Sequence, residues 1–195
     1  MRMNRRAFLP GVSLVVALLA FRTANNSAAN AKEAQAAHPH VDIPKLEPRA
    51  DDVLSLDGII KAYFEVVSGP AGKPREWGRD ATLYIPNVRF VIVKEGAKGK
   101  TAAQSMTHQE FADDSEAARG GKAFYEREMH RIVHRAGNMA HVLSTAEQRA
   151  SANGPALGHS IDSLDLYWDG TRWWIASANI WEVNPGHALP SEFLP

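Results

Sequence analysis

Four side chains in one stretch of this 195-residue chain have the types and spacing for proton transfer: Glu128, His130, His141 and Glu147. They flank Gly137-Asn138, a pair suited to a tight hairpin turn with Gly first. With those two residues as the turn, His134 faces His141, His130 faces Thr145, Glu128 faces Glu147 and Glu126 faces Arg149. Side chains on a strand repeat every second residue, so all of these share one face. Two readings are open. In the first, a desolvated carboxylate takes a proton and a neighbouring imidazole returns it, and like-charge repulsion within a Glu128/Glu147 pair makes one of them hold its proton more tightly. In the second, Glu and His alternate in a cross-strand ladder of hydrogen bonds with no substrate. Either reading depends on register, since a one-residue slip moves every side chain to the other face. Asp165 is a further candidate base. It and Tyr167 alternate with Leu164, Leu166 and Trp168, so it acts only if that polar face turns inward.

Other chemistries are excluded. The chain has no cysteine, which removes thiol catalysis, disulfides and cysteinyl metal sites. His130-x-x-x-His134 has the spacing of a helical zinc pair, but on a strand four residues span roughly 13 Å, too far for one ion. His134 and His141 across the hairpin have no third ligand at a supporting spacing, so no metal and no cofactor is expected. Residues 96–100 (GAKGK) are rich in Gly and Lys but lack the spacing of a phosphate-binding loop. With 22 basic and 22 acidic residues there is no positive excess to neutralise a nucleic-acid backbone.

The elements that must hold these residues can be read from periodicity. Val53, Leu56, Ile59, Ile60, Tyr63, Phe64 and Val67 form one apolar stripe at helical spacing, closed by Gly69-Pro70. A short helical turn is expected around residues 74–78 with Trp77 as its anchor. Thr107-His108-Gln109-Glu110 has capping-box spacing, predicting a helix to Ala118 closed by Gly120-Gly121. The rest reads as strands: 81–85 and 88–93 around Pro86-Asn87, then 122–135 with 139–149, and 157–168 with 172–183 around Asp169-Gly170. Helices first and long antiparallel strands afterwards predict an α+β domain. Trp173 and Trp174 point to opposite faces, one into the core and one over a pocket mouth or a subunit contact. Trp77, Tyr84, Phe90 and Phe111 supply apolar lining for a small-molecule cavity, though a packed core has the same pattern.

The first 31 residues read as an export signal. Arg2, Arg5 and Arg6 precede an apolar run at residues 11–21, and Ala29-Asn30-Ala31 offers a small-x-small cleavage site. Eleven apolar residues are short of the roughly 20 a spanning helix needs, so no membrane anchor is expected once the segment is removed. Asn4-Arg5-Arg6-Ala7-Phe8-Leu9 has the twin-arginine pattern, with Pro10 where Lys is usual. An exported protein, periplasmic or secreted, is expected. The segment holds four arginines and no acid, so the remainder carries four more acids than bases. Residues 32–50 read as a flexible linker and residues 51–195 as the domain.

The order of elements resembles the nuclear transport factor 2-like fold, in its SnoaL-like group. The carriers are 124–131 (FYEREMHR), 137–142 (GNMAHV), Ser144-Thr145, 169–175 (DGTRWWI), Trp181-Glu182 and the tail with Leu189-Pro190 and Phe193-Leu194-Pro195. The resemblance implies a cone-shaped, curved, mostly antiparallel sheet with about three N-terminal helices on one face, and a homodimer formed through the sheet. It implies a hydrophobic cone pocket for a small apolar or aromatic ligand. Glu128, His130, His141 and Asp165 are then the catalytic candidates, and Trp77, Tyr84, Phe90, Phe111, Thr145, Glu147, Tyr167 and Trp174 the ligand-binding ones. Members of the wider group include cofactor-independent isomerases, cyclases, dehydratases and hydrolases as well as non-enzymatic partner-binding modules, so fold leaves the function open.

Overall fold

The computed structural model describes residues 40–96, 99–184 and 186–195; the expected export segment and the first residues of the expected linker lie outside these. The apolar stripe of the first helix is divided in two. Helix α1 (Ala50–Val53) stops at Leu54, and α2 (Leu56–Val66) starts afresh from Ser55. Ser55 is extended, and its Oγ accepts from Gly58 N at 2.9 Å. A serine that caps a new helix competes with the backbone for continuing the old one. The turn is tight: a Cβ on Gly58 would lie 2.3 Å from the Asp51 carbonyl oxygen, so only glycine lets the two helices meet there.

Helix α3 (Trp77–Ala81) follows, slightly later than expected. Strand β1 (Tyr84–Glu95) then joins the two strands expected around Pro86-Asn87 into one, with its pairing interrupted between Tyr84 and Arg89. Proline has no N–H for the ladder, so the strand runs on while the pairing lapses. Strand β2 (Thr101–Met106) has no counterpart in the sequence reading, because its exposed, uncharged residues show no alternation. Helix α4 (His108–Arg119) carries the expected capping box, with Thr107 Oγ1 and the Glu110 carboxylate reciprocally bonded to backbone N–H groups and Gly120 left-handed at its end. Strands β3 (Tyr125–Ala136), β4 (Met139–Arg149), β5 (Ala156–Trp168) and β6 (Trp173–Val183) complete the chain, followed by a short 3₁₀ turn at Ser191–Phe193.

The result is an α+β domain with a curved, unclosed six-stranded sheet in the order β2-β1-β6-β5-β4-β3. All pairs are antiparallel except β1 with β6. The helical stripe of Ile59, Ile60, Tyr63 and Phe64 packs with Val142, Leu164, Leu166, Ile175 and Ala178, which defines the inner face of the sheet. Each large apolar side chain buried there contributes roughly 1.5–3 kcal/mol. The described part of the expected linker is packed rather than loose. Val41 N donates to Asp113 Oδ1 at 2.8 Å and Gln109 Nε2 to the Val41 carbonyl at 2.9 Å, while Pro44 lies so near Gly78 that a Cβ there would sit 2.7 Å from its ring.

One arginine ties the helical layer together. Arg79, with its side chain 10% exposed, donates to Asp52 of α1 through two bonds (2.7 and 2.8 Å), to Glu65 of α2 (2.9 Å) and to Glu76 (2.7 Å). Asp52 is itself buried, so removing its partner strands a desolvated charge. Arg79→Met is expected to cost about 3 kcal/mol, read as a lower urea midpoint with an unchanged slope; an unshifted midpoint would show that the cluster contributes nothing.

Candidate functional site

The hairpin of β3 and β4 turns at Gly137-Asn138 and keeps the expected register as far as His130, with His134 opposite His141 and His130 opposite Thr145. There the ladder slips by one residue at Met129, which stands unpaired as a bulge between Glu128 and His130. Beyond it Glu128 faces Ala146, Arg127 faces Glu147 and Glu126 faces Gln148. The expected Glu128/Glu147 and Glu126/Arg149 pairs are thereby corrected, and the expected single acid–base face is split. Glu126 and Glu128 turn inward beneath α2, whereas His130, His141 and Glu147 remain on the face away from the helices.

The outward candidates have partners of their own. Glu147 is buried between Arg127 and Arg149. Thr145 Oγ1 donates to the Phe193 carbonyl at 2.8 Å beneath the C-terminal segment. His141 Nδ1 lies 2.9 Å from Asp165 Oδ1, and Ser177 Oγ donates to Asp165 Oδ2 at 2.8 Å. The His141 contact, then the Ser177 hydroxyl, hold the Asp165 carboxyl below its usual range, so it stays ionised and binds a proton weakly. Tyr167 and Trp174 are cross-strand partners. Trp174 Nε1 donates to Asp169 at 2.6 Å, and the Arg172 guanidinium lies 3.7 Å over its ring. Trp173 is buried on the inner face, as its alternation with Trp174 predicts.

The aromatic candidates pack on one another. Phe90 and Phe111 stack with centroids 4.3 Å apart, Tyr84 meets Phe90 edge-on at 5.0 Å, and Trp77 meets Phe111 at 6.1 Å. At their centre is a buried polar node, where Asp80 accepts from Tyr84 Oη at 3.0 Å and lies 2.8 Å from His108 Nε2.

A cleft of about 440 Å³ opens elsewhere, between the second half of α2 and the start of β3. Phe64, Tyr125 and Ala152 line it together with Lys61, Glu65, Ser68, Glu126, Arg127, Glu128 and Arg149. Glu128 is committed to Arg131 and to the Ser144 hydroxyl, each at 2.5 Å. The Glu126 carboxylate has one hydrogen-bond partner among the described residues, Gln148 Nε2 at 3.2 Å. On the inner face is Asp162, 1% exposed, placed opposite Ser144 by the β4–β5 register. Tyr63 of α2, itself buried, donates its hydroxyl to Asp162 Oδ2 at 3.1 Å. Asp162 Oδ1 and the hydroxyl of fully buried Ser160 have no hydrogen-bond partner among the described residues.

Burial, and then repulsion from Glu126, push the Asp162 carboxyl up to about 8, against the opposing influence of Ser160 and Tyr63. Burial pushes Glu126 up to about 7, opposed by Gln148 and Arg75. Tyr63 rises too, chiefly through burial and then through Asp162. A proton on Asp162 removes the cost of a buried charge that the Tyr63 hydroxyl alone partners among the described residues. This makes an acid–base centre poised near neutrality behind the cleft. Glu126 is visible in the sequence as one of several carboxylates. Sequence reasoning missed Asp162, Tyr63 and Ser160 as site residues, although Ser160 and Asp162 have the same parity as Leu164 and Leu166 and so belong to the apolar face. Among the described residues, no group of three or more His, Asp or Glu side chains is placed to hold a metal, and no helix is long and apolar enough to cross a membrane.

No protein-family model matches the chain, and no curated protein matches it. Among solved structures it is similar to an uncharacterised protein with a cystatin-like fold from Caulobacter vibrioides, at 16% identity and TM-score 0.46, over 67% of this chain and 88% of that one. It is similar also to an NTF-2-like protein of unknown function from Silicibacter pomeroyi, at 14% identity and TM-score 0.43, over 66% and 92% of the two chains. A protein of unknown function from Mycobacterium tuberculosis matches at 14% identity and TM-score 0.49, over 69% and 75%.

The raised carboxyls fix a sign. Both hold protons more tightly in the folded chain than in the unfolded one, so stability falls as pH rises from about 4 to about 8. Asp162→Asn keeps the shape and removes one titration. Its urea midpoint is expected to gain on that of the parent steadily between about pH 5 and pH 8; parallel profiles would show that Asp162 is not held neutral.

Proposed function

We propose that this chain is an exported protein, periplasmic or secreted, of nuclear transport factor 2-like type, whose domain binds a small organic molecule in the cleft between α2 and β3. The observation that carries the reading is Asp162: a buried carboxyl with an unpartnered oxygen, in electrostatic contact with Glu126, which lines the cleft. A volume of about 440 Å³ lies within the roughly 300–1,000 Å³ usual for small-molecule sites. The rings of Phe64 and Tyr125 suit an apolar or aromatic body. A neutral Glu126 donates a hydrogen bond, which suits an uncharged carbonyl or hydroxyl head group better than a carboxylate.

A second reading is favoured by the same pair. Two carboxyls with proton affinities near neutrality, backed by the Tyr63 hydroxyl, are equipped for cofactor-independent proton transfer of the isomerase or lyase kind. In that reading Glu126 is the base at the cleft, and Asp162 with Tyr63 sets its charge. The roles expected of Glu128, His130, His141 and Asp165 pass in that reading to Glu126, Asp162 and Tyr63.

Native mass spectrometry of the protein purified from its own host, set against its denatured mass, tests the binding. A mass excess lost on denaturation is expected. Glu126→Gln is expected to weaken retention of that molecule about tenfold, the loss of one hydrogen bond to a poised carboxyl, with thermal stability maintained. Unligated protein in every preparation, together with no effect of Glu126→Gln on any compound found to bind, would overturn the assignment.

A further inference from the structure

The two edges of the sheet are built differently. At one edge β3 is guarded by the bulge at Met129, by the charges of Arg127, Glu128, Arg131 and Arg135, and by a covering segment. Gly69 and Phe124 exchange two backbone hydrogen bonds there, and Ser68 Oγ accepts from Glu126 N. Bulges, charges and covering segments are the devices that keep an edge from pairing with another chain. At the other edge β2 has none of them. Its residues, Thr101–Met106, include no charge and no proline, its register with β1 is unbroken, and Thr101 to Ser105 are exposed. Among the described residues, nothing pairs with its outer side.

The direction of its free backbone groups follows from the turn. Gly96 N donates to the Lys100 carbonyl at 2.7 Å, which makes that a hydrogen-bonded pair. Bonded and non-bonded pairs alternate along an antiparallel ladder, so Ala102, Gln104 and Met106 bond to β1. Thr101, Ala103 and Ser105 therefore point their N–H and C=O groups away from it.

We propose that β2 pairs antiparallel with the same strand of a second copy, Ala103 upon Ala103 across a two-fold axis, joining two six-stranded sheets into one. The phase is self-complementary. Thr101 falls opposite the partner's Ser105 and Ala103 opposite its own equivalent, giving roughly six backbone hydrogen bonds. The side chains that meet are uncharged, Ala102 with the partner's Gln104 among them, so no like charges oppose each other. The outer face of the sheet, where two copies would otherwise meet, is partly taken. The C-terminal segment lies on Thr145, and further along the same face stand the polar groups of His141, Asp165 and Ser177.

The chain's lack of cysteine makes the test direct. Bonded antiparallel partners have Cα atoms about 5.5 Å apart, within disulfide range. Ala103→Cys is expected to cross-link the purified protein into a dimer under mild oxidation, whereas Ser163→Cys, on the outer face, is not. In sedimentation equilibrium, Ala103→Pro deletes an N–H that β1 does not use and Ala103→Glu sets two like charges face to face. Each is expected to raise the dimer dissociation constant about tenfold or more. The Glu variant keeps the test sound should the Pro variant fold poorly. A monomer at every concentration, preferential cross-linking at position 163, or a dimer indifferent to both substitutions would overturn the proposal.

Discussion

A strand offers its side chains to two faces by turns, and one extra residue reverses the assignment of everything beyond it. That constraint, at Met129, decides what this domain can do. Before the bulge the histidines of the hairpin look outward; past it Glu126 and Glu128 look inward, to the side where α2 lies. Without the extra residue the inner face would receive Arg127 where Glu126 now stands, and the position in electrostatic contact with Asp162 would hold a cation in place of a carboxyl. The acid–base centre is therefore a consequence of backbone geometry as much as of residue type.

The centre also conflicts locally with the core around it. Asp162 sits among Leu164, Val142 and Tyr63, where an isolated charge is costly and an unpaired polar atom nearly as much so. The protein meets this in part through the Tyr63 hydroxyl and in part by keeping the carboxyl protonated. A core that served packing alone would hold an apolar residue at 162. Places where local rules are broken inside an otherwise consistent fold are where function is usually found. The Asp80–His108–Tyr84 node is a different case, since both carboxylate oxygens there have partners and the surrounding rings close over it.

Much of this was legible in the residues themselves. Thr107 and Glu110 announced the cap of α4, Gly137-Asn138 the hairpin, and Trp173-Trp174 the division of β6 between two faces. What escaped did so for physical reasons. The bulge has no glycine or proline to mark it, so the pairing of Glu128 with Glu147 followed from a ladder assumed to be regular. Asp162 was hidden by the neighbouring Asp165, which has the opposite parity and draws attention as the more conspicuous acid beside Tyr167. Strand β2 lacks the alternation that burial imposes, because its inner side is hardly covered. The arm at residues 41–49 reads as a linker by composition, yet contacts with Asp113, Gln109, Glu76 and Gly78 tie it down.

The parallel pairing of β1 with β6 has a consequence for how the chain reaches this state. Strand β6 lies between β1 and β5, so the hairpin of β1 and β2 is joined to the rest of the sheet only through a strand that follows it by some ninety residues, as the partnership of Phe90 with Ala178 shows. Until β6 arrives, β1 presents one open side rich in valine and isoleucine. Pairings so distant along the sequence form late and slowly, after the entropy of closing a long loop has been overcome. The β3–β6 meander can assemble from local contacts, whereas docking of the first hairpin sets the pace. During that interval β1 is the segment most exposed to association with the wrong partner.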